Sequence, residues 1–174
     1  GYPAEFWVSD FLNDHHFHYG YFVKAAAEVA RHSGEFLDGY GDMVDLVVRD
    51  YANWDRPTAD AIDEQTPVES PGDAFPHLRS FDVYGGHSWA SGFPLGAGAN
   101  QESSSEAMSA YASIITWAEH RLATLDDDDP ETRAEYETMR DTAIAVYTEE
   151  MHAIWEYWFD RDGDDWTGQF LHEE

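Results

Sequence analysis

The sequence predicts an all-α fold built from helical hairpins, with long loops that carry the functional residues at one end. Apolar residues recur at helical spacing through four long segments. Short connections join the first segment to the second and the third to the fourth, which favours antiparallel neighbours. By contrast, residues 52–80 show no sustained period and are rich in proline and acidic residues, and at 81–93 glycines flank His87 and Trp89. We therefore expect two helical hairpins separated by a long functional loop region.

Each helix has a predicted range and a predicted buried face. The ranges are, in chain order, about 19–32, 35–51, 101–123 and 130–158. Asn100 is the expected N-cap of the third helix, and Pro130 suits the first turn of the fourth. In the second helix, Asp38, Asp42, Asp45 and Arg49 are expected to face solvent. The residues predicted to face the core are Phe36, Tyr40, Val44, Val47 and Tyr51, then Met108, Tyr111, Ile115, Ala118 and Leu122, then Tyr136, Met139, Ala143, Tyr147, Ile154 and Trp158.

The composition is strongly acidic. The 174 residues include 36 acidic and 9 basic side chains, for a formal charge of −27, and Lys24 is the only lysine. This charge argues against nucleic acid or an anionic membrane as a partner. It favours a protein that works in high salt, where self-repulsion is screened. No apolar run is long enough to span a membrane, and the chain opens with no signal peptide, so we expect a fragment of a longer protein.

Three carboxyl groups lie in motifs that suit acid–base chemistry. Asp14 belongs to N-D-H-H-F-H-Y-G-Y-F at 13–22, where aromatic neighbours, including Trp7, are expected to raise its pKa. Glu102 belongs to N-Q-E-S-S-S-E-A at 100–107 and is expected in the first turn of its helix, where the positive helix end favours the ionised form. Glu106 would project from the same face of that helix. Two carboxyl groups with opposite pKa shifts are typical of a glycosidase acid and base.

Three further motifs complete a resemblance. They are R-D-Y-A-N at 49–53, F-P-H-L-R-S-F-D at 75–82 and G-H-S-W-A-S-G at 86–92. Together with the two motifs above, they resemble glycoside hydrolase family 81, the endo-β-1,3-glucanases or laminarinases. The resemblance implies an inverting hydrolase of β-1,3-glucan that uses no metal or cofactor. It also implies a secreted parent protein with a β-sandwich followed by an (α/α)6 barrel, of which residues 1–174 would be the central part.

The resemblance also assigns roles to residues. Asp14 matches the general acid and Glu102 the general base, while Glu106 is a close companion that could exchange roles with Glu102. Flat aromatic rings can cover the apolar face of a pyranose, and polar groups can bind its hydroxyls. The candidate substrate-binding residues are His18, Tyr19, Asp82, His87 and Trp89.

Three other functions remain open at this point. His15 and His18 are three residues apart, so with Glu102 and Glu106 they could form a metal-dependent hydrolase site, although no HExxH-type motif is present. A non-catalytic carbohydrate-binding module would keep the aromatic residues but would not need three carboxyl groups. A purely structural helical fragment is the third possibility. The sequence carries no signal for the oligomeric state.

Overall fold

The computed structural model describes residues 11–56, 71–92, 100–125 and 129–159, and these are helical apart from loops and one small hairpin. The elements are α1 (His15–Ala30), α2 (Gly34–Ala52), the short α3 (Pro71–Ala74), β1 (Phe81–Asp82), β2 (His87–Ser88), α4 (Ser104–Thr124) and α5 (Pro130–Trp158). The two strands pair antiparallel, with Phe81 opposite Ser88. The all-α prediction is confirmed. The aromatic segment before residue 11, including Trp7, and the middle of the predicted loop at 57–70 lie outside the described residues.

Helices α1 and α4 pack side by side and run in the same direction. Tyr21 contacts Glu106, and one turn further on Lys24 contacts Ser109, so the two helices advance together. Gly20 permits the close approach, because a Cβ at this position would lie 2.5 Å from the Cβ of Ala110. The N-terminal ends of α1 and α4 therefore lie at the same end of the bundle.

Helix α2 runs antiparallel to α4, and a polar contact in the core fixes the pair. The fully buried indole of Trp117 donates to Asp45 Oδ1 at 2.7 Å, and the Tyr136 hydroxyl donates to Asp45 Oδ2 at 2.8 Å. One turn along α4, Arg121 contacts Asp42 at 2.8 Å. Burial raises the pKa of Asp45, and the adjacent Arg121 guanidinium opposes that shift. Asp45 thus links α2, α4 and α5.

Two of the predicted helix ranges are confirmed within a residue. Helix α2 begins after Ser33, whose hydroxyl accepts from the backbone N–H of Phe36 at 3.2 Å. Helix α5 begins at Pro130, and the preceding Asp129 accepts from the N–H of Thr132 at 3.0 Å. Both starts carry a side-chain cap, and Pro130 lies in the first turn of α5 as predicted.

The other two predicted ranges are wrong at their starts. Helix α1 begins at His15 instead of residue 19 and ends at Ala30. Helix α4 begins at Ser104 instead of 101, and its N-cap is Ser103. Asn100 does not cap the helix, because its side-chain oxygen accepts from the backbone N–H of Ser91 at 3.0 Å.

The predicted buried faces are correct in part. Tyr51, Tyr111, Met139 and Ala143 are buried, whereas Tyr40 is 54% exposed and Trp158 is 50% exposed. The prediction that Asp45 and Arg49 face solvent is wrong. Arg49 is buried, and its Nη1 donates to Asn53 and Asp55 while its Nη2 donates to Glu135. Its guanidinium carbon also lies 3.6 Å from the centre of the Trp54 ring. The hydrogen bonds and charge pairing offset the free energy that is needed to remove the guanidinium from water.

The excess of acid leads to a prediction about salt. The described arginines are largely engaged with carboxylates, as in the pairs Arg31–Glu28, Arg49–Glu135, Arg79–Asp50, Arg121–Asp42 and Arg140–Asp141. Nine basic residues cannot neutralise 36 acidic ones, so the remaining carboxylates repel each other. We expect the melting temperature, followed by circular dichroism, to rise as salt increases from millimolar to molar. An unchanged melting temperature across that range would contradict adaptation to high salt.

No helix in the described part of the chain combines the length and apolar character that crossing a membrane requires.

Candidate active site

Asp14 immediately precedes α1 in an unusual backbone conformation. Its φ is +59° and that of Leu12 is +55°, in the left-handed region that residues other than glycine rarely adopt. The Asp14 backbone N–H donates to the carbonyl of Ala90 at 3.0 Å, and the Asn13 amide donates to Asp14 Oδ2 at 2.6 Å. Such conformations cluster at functional sites, where the surrounding contacts hold them. The backbone at Asp14 is therefore held in place, and its side chain is half-buried.

Backbone contacts connect Asp14 to the segment that carries Glu102. Ala90, whose carbonyl accepts from Asp14, also donates its own N–H to the carbonyl of Asn100 at 2.9 Å. Two successive backbone hydrogen bonds of this kind span about 10 Å. Gly92 completes the packing at a φ of +65°, because a Cβ at that position would collide with the carbonyl oxygen of Phe11. Segments 11–14, 88–92 and 100–102 thus lie side by side.

A buried polar network supports the start of α1. His15 Nδ1 lies 2.6 Å from Asp50 Oδ2, and Arg79 donates to the same oxygen at 2.7 Å and to the Asp50 carbonyl at 2.8 Å. Arg79 also donates to the carbonyl of Leu12 at 3.3 Å. Arg79 and Asp50 belong to two of the sequence motifs, and these contacts show that they hold the backbone around Asp14.

Glu102 lies outside α4, which begins two residues later. The prediction that it occupies the first helical turn is wrong, and so is the prediction that Glu102 and Glu106 share a helix face. Its side chain is exposed, and no hydrogen bond joins it to another residue of the described ranges. The carboxylate of Glu102 is therefore open to water or a ligand.

Glu106 occupies the first turn of α4 and makes defined contacts. The Tyr21 hydroxyl on α1 donates to Glu106 Oε1 at 2.8 Å. Hydrogen bonds from the side chains of Ser103 and Tyr21 lower the pKa of Glu106, and nearby His18 acts in the same direction. The N-terminal end of α4 and these neighbouring side chains therefore favour the ionised form of Glu106.

His18 and Tyr19 lie in the first turns of α1. His18 is exposed, whereas Tyr19 is half-buried, and its ring meets the His15 ring edge-on at 4.9 Å between centroids. Burial raises the pKa of the Tyr19 hydroxyl, with a further contribution from Asp50. Both residues lie at the end of the bundle that carries Asp14 and Glu106.

Asp82, His87 and Trp89 belong to the β-hairpin and the residue that follows it. Asp82 Oδ1 accepts from the N–H groups of Tyr84 at 2.8 Å and Gly85 at 3.0 Å, which lowers the pKa of Asp82 and fixes the turn. The His87 ring meets the rings of Tyr157 and Trp158 edge-on at 5.8 and 5.9 Å. Trp89 is half-buried, and its N–H donates to the Ser80 carbonyl at 3.1 Å. Of these three, Trp89 is nearest in sequence to Ala90, which holds Asp14.

The structure adds a residue that our sequence analysis missed. Glu150 on α5 is fully buried, and its carboxylate accepts from Gln101 and from Ser88. Burial raises the pKa of Glu150. Its place on the stripe formed with Ala143, Val146 and Ala153 is the signal that could have revealed it.

The described residues give the metal-site alternative no support. No group of three or more histidine, aspartate or glutamate side chains among them is arranged to hold a metal ion. His15 is buried and bonded to Asp50, while neighbouring His16 is also buried, which lowers the pKa of His16 to about 3.

Helical hairpins with carboxylates on neighbouring segments at one end have the make-up of a glycosidase site. The chain belongs to glycosyl hydrolase family 81: residues 4–163 match the model of the glycosyl hydrolase family 81 C-terminal domain. It is 42% identical over 175 residues to a glucan endo-1,3-beta-D-glucosidase of Acetivibrio thermocellus, and the aligned region covers 99% of this chain and 19% of that protein. An enzyme of the same name from Thermobifida fusca is 39% identical over 99% of this chain and 20% of its own length. A glucan endo-1,3-beta-D-glucosidase 2 of Saccharomyces cerevisiae is 35% identical over 63% of this chain and 13% of its own length.

The chain thus spans about a fifth of the length of the first two relatives.

Proposed function

We propose that the protein containing this chain is an endo-1,3-β-glucanase that hydrolyses laminarin-type β-1,3-glucan. Its family membership and the names of its relatives support the substrate class. The observation that carries the proposal is the continuous contact from Asp14 through Ala90 to Asn100, two residues before Glu102. The two carboxyl groups are 88 residues apart in the chain (102 − 14), and this contact brings their segments together.

In the proposed mechanism, Asp14 is the general acid and Glu102 the general base. Asp14 gives a proton to the glycosidic oxygen as the bond to the anomeric carbon breaks. Glu102 removes a proton from a water molecule that attacks that carbon from the opposite face, so the configuration inverts. An inverting pair leaves roughly 6.5–9.5 Å between its carboxyl groups for this water. The chemistry requires only the two carboxyl groups and water, without a metal or cofactor.

The contacts of the two glutamates favour Glu102 over Glu106 as the base. A general base needs a free oxygen within reach of the water. Glu102 is exposed and bonded to none of the other described side chains, whereas Glu106 already accepts from the Tyr21 hydroxyl at 2.8 Å. Glu106 is then the companion that orients the water or Glu102.

The proposed substrate-binding residues lie on α1 and on the β-hairpin segment. Tyr19 and Trp89 offer partly exposed rings for stacking on glucose, and the exposed His18 lies beside Glu106. Asp82 and His87 would act further along the β-hairpin. Asp82 already fixes the turn through two backbone N–H groups, so we assign it to shaping the binding surface.

We further infer that residues 1–174 form part of an (α/α)6 barrel in a secreted parent protein. Parallel α1 and α4 would be inner helices, and α2 and α5 the outer helices that return the chain. Exposed apolar side chains on two faces support this, because further hairpins of the barrel would cover them. These residues are Phe22, Val29, Met43 and Leu46 on α1 and α2, and Met151, Trp155 and Phe159 at the C-terminal end of α5.

The decisive test is cleavage of laminarin by the full-length parent protein. We expect reducing ends to appear together with a rapid fall in polymer length, which marks internal cleavage, and we expect activity to persist in a chelator. Binding without cleavage would favour a carbohydrate-binding module. Activity that is lost in chelator and restored by zinc would favour the metal-dependent hydrolase.

A further inference from the structure

Glu150 is a buried acid that the proposed chemistry does not use directly. It lies on the inner face of α5 between Val146 and Ala153 and has no exposed surface. Burying a carboxylate is costly unless hydrogen bonds compensate it. Further parts of the parent protein could cover exposed surfaces of this chain, but they could not expose Glu150 without disrupting its helix packing. A role for Glu150 must therefore act through its contacts.

Within the described ranges, the hydrogen bonds of Glu150 all go to the two segments that carry the proposed site. Glu150 Oε2 accepts from the backbone N–H of Ser88, and Oε1 accepts from the side-chain amide of Gln101. The Ser88 hydroxyl lies 3.4 Å from Oε1, and the Gln101 amide also donates to that hydroxyl at 2.7 Å. Ser88, Gln101 and Glu150 thus form a closed buried triangle of hydrogen bonds.

Both proposed catalytic residues are close in the chain to this triangle. Gln101 is the residue immediately before Glu102. Ser88 is two residues before Ala90, whose carbonyl accepts from the backbone N–H of Asp14. A single carboxylate on α5 therefore touches the segment that holds the acid and the segment that holds the base.

We propose that Glu150 is a positioning residue that fixes the separation between Asp14 and Glu102 by joining Ser88 to Gln101. This inference rests on the proposed function. An inverting site depends on a defined gap between its carboxyl groups. A misplacement of about 1 Å at a catalytic centre can cost about 10²-fold in rate. A residue that sets this gap should affect turnover more than substrate binding.

The first test is Glu150→Gln in the full-length parent. The substitution keeps the shape of the side chain but turns one acceptor into an NH2 group, which then faces the N–H of Ser88 or the amide of Gln101. We expect kcat on laminarin to fall about 10- to 10²-fold while KM changes less than about twofold. The matched control is Glu149→Gln, because Glu149 is the adjacent residue and is exposed, and both constants should stay unchanged.

The second test exchanges the two groups, with Gln101→Glu and Glu150→Gln in one protein. The new carboxylate at position 101 would accept from the new amide at position 150 and from the Ser88 hydroxyl. The amide oxygen at 150 would still accept from the Ser88 N–H, so the triangle closes again. We expect each single change to lower kcat. The double variant should have a kcat at least about tenfold higher than that of the single variant with the lower kcat.

Three outcomes would overturn the positioning role. One is Glu150→Gln with kcat unchanged, even if its melting temperature falls, because Glu150 would then serve stability alone. Another is a raised KM at unchanged kcat. The third is a folded exchange variant that recovers no activity, and this variant decides the question if Glu150→Gln alone does not fold. A wild-type parent that does not cleave laminarin would refute the proposed function itself, and the positioning role with it.

Discussion

Replacing Asp14 with asparagine in the full-length parent is expected to lower kcat on laminarin by at least about 10²-fold, the scale of general acid catalysis. Asparagine keeps the size of the side chain and its position before α1 but has no proton to give to the glycosidic oxygen. The backbone N–H that bonds to Ala90 is unaffected, so the segment should keep its place. Laminarin binding, measured by calorimetry, should change much less than turnover.

Parallel variants of the glutamates separate their roles. Glu102→Gln is expected to cause a loss comparable to that of Asp14→Asn, because a water molecule would lose its base. Glu106→Gln should cost less, since Glu106 is proposed to orient the reacting groups. If Glu102→Gln kept full turnover while Glu106→Gln abolished it, the assignment of the base would be wrong and Glu106 would take that role.

Replacing Trp117 with alanine is expected to be the most damaging single change to stability. The indole is fully buried in α4, and removing a buried Trp costs roughly 3–5 kcal/mol in free energy of unfolding. The change also removes the N–H that donates to the largely buried Asp45. We expect the melting temperature of the parent's catalytic domain to fall by about 10 °C, measured by scanning calorimetry.

Trp117→Phe serves as the comparison, because it keeps a buried aromatic ring while it removes the N–H that donates to Asp45 and part of the indole volume. It should cost less than Trp117→Ala, with about 1–3 kcal/mol of the loss due to the unsatisfied buried acceptor. Equal losses from both variants would mean that the Asp45 contact outweighs ring burial. No loss from either would contradict the packing of α2 against α4.

The sequence predicted the helices best where capping is local. Helix α5 starts with Asp129 and Pro130, and helix α2 starts after Ser33, and in each case a side chain bonds three residues ahead. The start of α4 could not be predicted in this way. Asn100 and Ser103 are both good caps, and a long-range contact from Ser91 to Asn100 decides between them. Because α4 begins at Ser104 instead of residue 101, Glu102 precedes the helix.

The motifs indicate candidate site residues but not the contacts that support them. His15 lies within a polar run of the sequence, yet it is buried, and Asp50 and Arg79, which lie 35 and 64 residues further along the chain, both contact its Nδ1. Arg49 was expected at the surface, although Glu135 on another helix pairs with it. Glu150 resembled one more acidic residue in an acidic helix. Each of these depends on tertiary contacts between distant segments, which helical periodicity does not encode.

The proposed mechanism is tested by the configuration of the first products that the full-length parent releases from laminarin, followed by proton NMR at early times. A water activated by Glu102 on the face opposite Asp14 inverts the anomeric carbon, so we expect α-anomers that later convert to the equilibrium mixture. Early β-anomers would indicate retention through a covalent intermediate. They would contradict the proposed acid–base pair of Asp14 and Glu102.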